Sequence, residues 1–595
     1  MNDLTSARTK DCHRLRPSRN RLLLATLVCF VLGAGAHAEV RPDQSYGTPQ
    51  DLPITLSGSY LAGRLAGQQN DFASASAFFE ETLAADPDNP FLLERAFILK
   101  TANGEIAKAL AYAEEMETAG IDNFLARLVV AVGHVRNGDY RSAAAELETA
   151  GAGPLADLTS GITRAWALLG TGNADEALAA IDALEGPEWF DVFKANHAAL
   201  IAEQAGRQDL ALEKIEAAYN ADRGALRVND AFARIRAAAG KKEEALEVLT
   251  EYDRLMPGDP LLTNTRRLIE SGAPILPLVS DPAQGIAELL NGLGSAIGRD
   301  GAEELASAYL QLALYLNPKT EFAAIALGSL FERMGNPQRA IEVLKTVPNE
   351  SPLKRNAEIQ IGFNYNALDQ LDKAREHLSA LIALDPAELE AVISLGNVLR
   401  SHKLFEEAEA VYSRGLDTVA SPERQHWALF YYRGICRERL KQWPAAEADF
   451  RKSLELFPDQ PLVLNYLGYS LVDQGLKLDE ALDMIRRAVE LRPNDGYIVD
   501  SLGWVYYRLG RYEEAVKELE RAVELRPADP VINDHLGDAY WKVGRKLEAR
   551  FQWNHARDLG PEPEELPKIL DKIENGLTEA PAAGAATADA PRNGG

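Results

Sequence analysis

The stretch Leu502–Pro527, LGWVYYRLGRYEEAVKELERAVELRP, carries the pattern from which the rest of the chain can be read. Gly503 is a small residue inside an apolar helical pattern, Gly510 marks a turn, Ala515 opens a second helical pattern with Leu519 and Ala522, and Pro527 ends it. Glycine tolerates the left-handed conformation that closes a helix, and proline cannot continue a helix interior. The segment therefore predicts helix, glycine turn, helix, proline stop. Working outward, the equivalent of Ala515 recurs at Ala75, Ala109, Ala143, Ala177, Ala211 and Ala245, each 34 residues from the last. A second series runs through Ala306, Ala340, Ala374, Ala408, Ala446, Ala481, Ala515 and Ala549, mostly at the same spacing, with 38 residues before Ala446 and 35 before Ala481. These 14 units in register form an internal repeat. Such a repeat is the mark of a solenoid, in which each helical hairpin buries its apolar face by stacking on its neighbours.

Twelve residues before most of these alanines stands a second small residue, such as Gly362, Gly396, Gly434, Gly503 or Gly537; Phe97 breaks the rule. The paired small residues let two antiparallel helices cross closely. The pattern is complete in Leu502-Gly503, Tyr506, Ala515, Leu519, Ala522, Pro527 and again in Leu536-Gly537, Tyr540, Ala549, Trp553, Ala556, Pro561. It resembles the tetratricopeptide (TPR) repeat family over nearly the whole chain. The resemblance implies an all-α fold, a right-handed α-solenoid whose first helices line a concave face.

The interval from Ala245 to Ala306 is 61 residues, and Pro274, Pro277 and Pro282 fall inside it. This predicts two blocks, 57–271 and 283–566, separated by a Pro-rich hinge or insertion at 272–282. Residues 39–56 read as an extended leader, and 567–595 as a short helix followed by a disordered tail. At the start, Arg14, Arg16, Arg19 and Arg21 precede the apolar run Leu22–Ala36, and Ala36-His37-Ala38 supplies a small-residue cleavage site. Residues 1–38 are thus expected to be a signal peptide, with export to the periplasm. Val28 before Cys29 is not the small residue a lipobox needs, and only Cys436 lies beyond the leader, so no intrachain disulfide is expected.

The formal net charge of −26 disfavours nucleic acid and anionic lipid, and leaves membrane association at most indirect. His134, His197, His377, His402, His426, His535 and His555 show no i, i+4 pairing of the kind that puts two metal ligands on one helix face. No nucleophile elbow, phosphate loop or dinucleotide fingerprint is present. The expectation is a non-enzyme without cofactor, metal or catalytic residue, working by holding protein partners.

Ligands of the family usually lie against a set of positions on the first helix of each repeat. Carried over residue by residue, the resemblance implies partner contacts at Tyr497, Asp500, Trp504, Tyr507 and Arg508, then at Asp534, Asp538, Trp541 and Lys542. Earlier units add Asn465 and Tyr469, Tyr431 and Arg439, and Phe363. Trp, Tyr and Arg carry most interface energy, which favours this C-terminal groove as the main site. The acidic Asp500 and Asp534 argue against capture of a C-terminal carboxylate. The block Asn465-Tyr466-Leu467-Gly468-Tyr469 with Asp500-Ser501-Leu502-Gly503-Trp504 is similar to the last repeats of bacterial envelope TPR proteins. Among these are adaptors that bring substrates to a carboxyl-terminal processing protease. The resemblance implies a periplasmic scaffold or adaptor in envelope maintenance. The alternative is a glycan-handling module in polysaccharide export or wall assembly, with Trp504, Tyr507 and Trp541 stacking on sugars.

Overall fold

The computed structural model describes residues 55–149, 153–299, 301–386 and 388–577. The expected signal peptide, the leader up to residue 54 and the tail from residue 578 lie outside the described residues. Every regular element among the described residues is helical.

The first six hairpins are α1 (Leu56–Gln68) with α2 (Phe72–Ala85), α3 (Pro90–Ala102) with α4 (Ile106–Thr118), and α5 (Phe124–Arg136) with α6 (Tyr140–Glu146). There follow α7 (Pro154–Gly170) with α8 (Ala174–Asp182), α9 (Phe190–Gln204) with α10 (Gln208–Ala221), and α11 (Leu226–Ala238) with α12 (Lys242–Leu255). An unpaired helix, α13 (Pro260–Ser271), comes before the second series, which begins with α14 (Pro282–Ile297) and α15 (Glu303–Leu316). The series continues through α16 (Glu321–Arg333), α17 (Pro337–Leu344), α18 (Lys354–Ala367), α19 (Leu371–Leu384), α20 (Leu389–Ser401) and α21 (Phe405–Asp417). The remaining helices are α22 (Trp427–Arg439), α23 (Trp443–Leu456), α24 (Pro461–Asp473), α25 (Leu478–Leu491), α26 (Gly496–Arg508), α27 (Tyr512–Leu525), α28 (Pro530–Lys542), α29 (Lys546–Asp558) and α30 (Leu566–Asn575).

The α-solenoid expected from the repeat is the fold observed. Each repeat alanine is the fourth residue of a second helix and is buried. The opposed small residue works by what it lacks. A Cβ added at Gly503 would stand 2.5 Å from the Leu519 side chain, and one at Gly537 2.4 Å from the Trp553 indole, so either would force the pair of helices apart. The prolines have a second use that the repeat pattern did not announce. Pro90, Pro282, Pro461 and Pro530 begin first helices, and Pro260 begins α13, where the missing N–H costs nothing. Asn89, Asp259, Asp281 and Asp529 precede four of them and cap the free N–H groups.

The Pro-rich segment between α13 and α14 is non-helical and is held along the N-terminal hairpins. Arg234 donates to the Leu276 carbonyl at 3.2 Å, Gln204 donates to the Val279 carbonyl, and Val279 is itself buried. One buried apolar cluster runs from Ala66 to Ile361, so the core crosses the boundary expected at 272–282. The reason is that hairpin α14–α15 packs against the inner helices of the N-terminal hairpins. Helix α15 lies on α3 and α5, and α14 on α7 and α9. Ser307 Oγ donates to the Ala102 carbonyl at 2.7 Å, Tyr309 Oη and Thr159 Oγ1 share a hydrogen bond of 3.1 Å, and Arg95 forks onto Glu304 at 2.5 and 2.8 Å. Arg227 clasps Glu288 at 2.7 and 2.8 Å. The groove that the first hairpins would present is thus filled, from α3 to α9, by the chain's own helices.

Candidate functional site

With the N-terminal inner wall covered, the inner wall of the later hairpins is the candidate site. There first helices touch one another in sequence at four places: α18 meets α20, α20 meets α22, α24 meets α26, and α26 meets α28. The expected contact residues sit on these helices, and packing divides them into two groups.

One group is consumed by the fold. Tyr431, Asn465, Asp500 and Asp538 are buried, so they are not offered to a partner as the repeat register implies. Tyr431 packs edge-on against Tyr466 with ring centroids 6.0 Å apart. Asp500 pairs with His535 Nδ1 at 3.0 Å. Burial acts to lower the His535 pKa, but Asp500, with Asp534 and Asp538 behind it, holds it above the ordinary imidazole value. Asp538 accepts from the Trp553 indole N–H at 2.9 Å and from Lys572 at 2.9 Å, and Asp534 accepts from the same lysine at 2.7 Å. Burial raises the Asp538 pKa to about 6, against the pull of Lys572. Lys572 belongs to α30, which docks on the last hairpin as the next first helix would and covers its polar inner positions.

The other group remains reachable. Phe363, Arg508 and Lys542 are exposed, while Arg439, Tyr469, Tyr497, Trp504, Tyr507, Asp534 and Trp541 are partly buried. The Trp504 indole stacks on Tyr507 at 4.8 Å and on His535 at 4.1 Å, both nearly parallel. Burial pushes the phenols of Tyr469 and Tyr507 above their ordinary pKa, so both stay neutral donors. Arg508 lies 3.5 Å from Asp473, and the Arg526 guanidinium covers the Tyr497 ring at 4.3 Å. Trp541 carries Lys546 over its ring at 3.7 Å. His535 and Lys572 organise this wall without belonging to the expected set. Their one sequence signal is that each is a basic residue on a helix near Asp500, Asp534 and Asp538.

No cluster of three or more His, Cys, Asp or Glu side chains that could hold a metal ion occurs among the described residues. No helix among them is long and apolar enough to cross a membrane.

Residues 503–544 match a TPR repeat model, and residues 366–424 match a tetratricopeptide repeat model. Tetratricopeptide repeats are thus matched at these two segments. A TPR repeat-containing protein of Pseudomonas aeruginosa is 29% identical over 192 residues, covering 31% of each chain. The BBSome complex member BBS4 of Bos taurus is 28% identical over 159 residues, covering 27% of this chain and 30% of its own. The chain spans about a third of the length of these curated relatives. Among solved structures, that of the APC/C hetero-tetramer Cut9-Hcn1 covers 88% of this chain and 97% of its own at 14% identity and a TM-score of 0.37. A tetratricopeptide repeat protein from Parabacteroides merdae covers 42% of this chain and 98% of its own at 19% identity and a TM-score of 0.35.

Proposed function

We propose that the protein is a periplasmic scaffold that binds protein partners in cell-envelope maintenance and presents them, as an adaptor does, to an envelope protease. The observation that carries the reading is the set of aromatics Phe363 on α18, Tyr469 on α24, and Trp504 and Tyr507 on α26, which stay reachable on inner helices with Arg439 and Arg508 beside the last three. Aromatic and arginine side chains bury much area at modest entropic cost, which is what a protein interface asks of a groove. The export signal read at residues 1–38 and the likeness of the last repeats to envelope adaptors support the compartment and the pathway. A sugar platform needs a free ring face. Two protein rings already lie parallel to the Trp504 indole, which favours a protein partner over a glycan.

The test uses the full chain as bait in envelope extracts, with mass spectrometry of what is retained. Tyr507→Ala and Arg508→Glu should each deplete the same set of proteins at least severalfold, while cell fractionation finds the protein in the periplasm. Retention unchanged in both variants, or a cytoplasmic protein, defeats the proposal.

A further inference from the structure

The filling of the N-terminal groove by α14–α15 stops short of its first hairpin. Beyond Glu304 a cavity of about 520 Å³ is left open, walled by Tyr60, Arg64, Phe79, Phe91 and Arg95, with Gly67 at its edge. Its volume falls within the usual range of ligand sites. Tyr60 meets Phe79 edge-on at 5.9 Å and faces Phe91 at 6.5 Å, and Phe91 is 55% exposed. Large apolar side chains of this kind are normally covered, and here α1 is the first helix of the array, with no preceding hairpin among the described residues to cover it.

The charges in the cavity specify what would cover it. Arg95 spends its fork on Glu304, and its guanidinium lies 5.7 Å over the Phe79 ring. Arg64 projects one turn after Tyr60, its guanidinium 5.9 Å over that ring. Among the described residues no carboxylate pairs with Arg64, in a chain whose formal charge is −26 and where acidic side chains outnumber basic ones. The contact between α15 and α3 displays the chemistry by which this wall takes an occupant: a helix brings a glutamate to an arginine that is already braced on an aromatic ring. Arg64 and Tyr60 repeat that arrangement with the glutamate missing.

We infer that this cavity is a second docking site, distinct from the C-terminal groove, for an acidic protein segment that sets a carboxylate on Arg64 and an apolar side chain across Tyr60 and Phe91. A planar guanidinium gripping a carboxylate supplies orientation, and the flanking rings exclude water around it.

The test titrates full-length protein into a fluorescein-labelled peptide of alternating aspartate, leucine and phenylalanine, read by fluorescence anisotropy, beside a counterpart with lysine for every aspartate. The acidic peptide should bind and the lysine peptide should not. Affinity should fall about tenfold or more in Arg64→Gln and in Phe91→Ala, because a charge-assisted contact or a buried ring is lost. Arg64→Lys should recover part of the loss, and Trp504→Ala should bind as wild type does. Both Arg64 and Phe91 are exposed, so the variants should unfold at the wild-type temperature. No binding of the acidic peptide, equal binding of the lysine peptide, or affinity indifferent to Arg64→Gln overturns the inference. None of these outcomes bears on the C-terminal groove, which is tested by its own variants.

Discussion

In acid, His197 should weaken the junction between the N-terminal hairpins and α14. It is buried on α9, and its Nδ1 accepts a hydrogen bond from the Trp166 indole N–H at 3.1 Å, which requires a neutral ring. Burial depresses its pKa from 6.5 to about 4, with Glu288 opposing only in part. Below pH 6.5 the unfolded chain takes up a proton that the native site refuses. Stability contributed by the neutral ring is therefore complete above that pH and is lost progressively down to about pH 4. The gap is worth about 3 kcal/mol when fully developed, about 2 of it by pH 5. His197→Gln keeps an acceptor for Trp166 but cannot titrate. Hydrogen exchange followed by mass spectrometry at pH 7 and pH 5, corrected for the intrinsic chemical rate, reads the local opening free energy of α7, α9 and α14. The opening free energy of these helices should fall by about 2 kcal/mol more in the wild type than in the variant, a difference in which the opposite proton uptake of partly buried Glu203 on α9 cancels. An equal change in both proteins would falsify the reasoning.

Gly285 on α14 faces the same indole: a Cβ there would lie 2.4 Å from buried Trp166, so Gly285→Ala should cost about 1–3 kcal/mol in urea unfolding. Lys572→Met leaves the Asp534 and Asp538 carboxylates facing each other without their cation. Breaking such a pair costs about 3 kcal/mol, so limited proteolysis should cut α30 in the variant well before the wild type is touched. At Lys441, where φ is 62°, a lysine holds the turn that glycine holds in other repeats. Lys441→Gly should raise stability by roughly 0.5 kcal/mol, relief of backbone strain outweighing the added freedom of the unfolded chain, as differential scanning calorimetry will show.

The hairpins were legible because their determinants are local and periodic. Gly503 meets Leu519 within one unit, and the same spacing repeats along the chain. Even repeats lacking the turn glycine obey the pattern, since Asn70, Asp369, Lys403 and Lys441 adopt the same positive φ in its place. What could not be read was the destination of α14–α15. Arg95 meets Glu304 across 209 residues and Ser307 meets Ala102 across 205, and no period links such pairs. The candidate site was legible as positions but not as available side chains. The register assigns Asp500 and Asp538 to the inner wall, yet His535 from the next helix and Lys572 from α30 already occupy them. The family register describes a generic repeat, whereas burial depends on which neighbour happens to be basic or aromatic.

An array whose members touch only the next in line can lose or gain one without much harm, and can begin to fold anywhere. The clasp around α14–α15 removes that freedom from the first half of this molecule. Deleting any one of the hairpins between α3 and α10 would slide the rest out of step with the helices they enclose, so this half tolerates only paired changes. It also delays completion. As the chain emerges N-terminus first, the early hairpins stand with their inner surfaces wet until residue 316 has followed, and closure over two hundred residues then sets the pace.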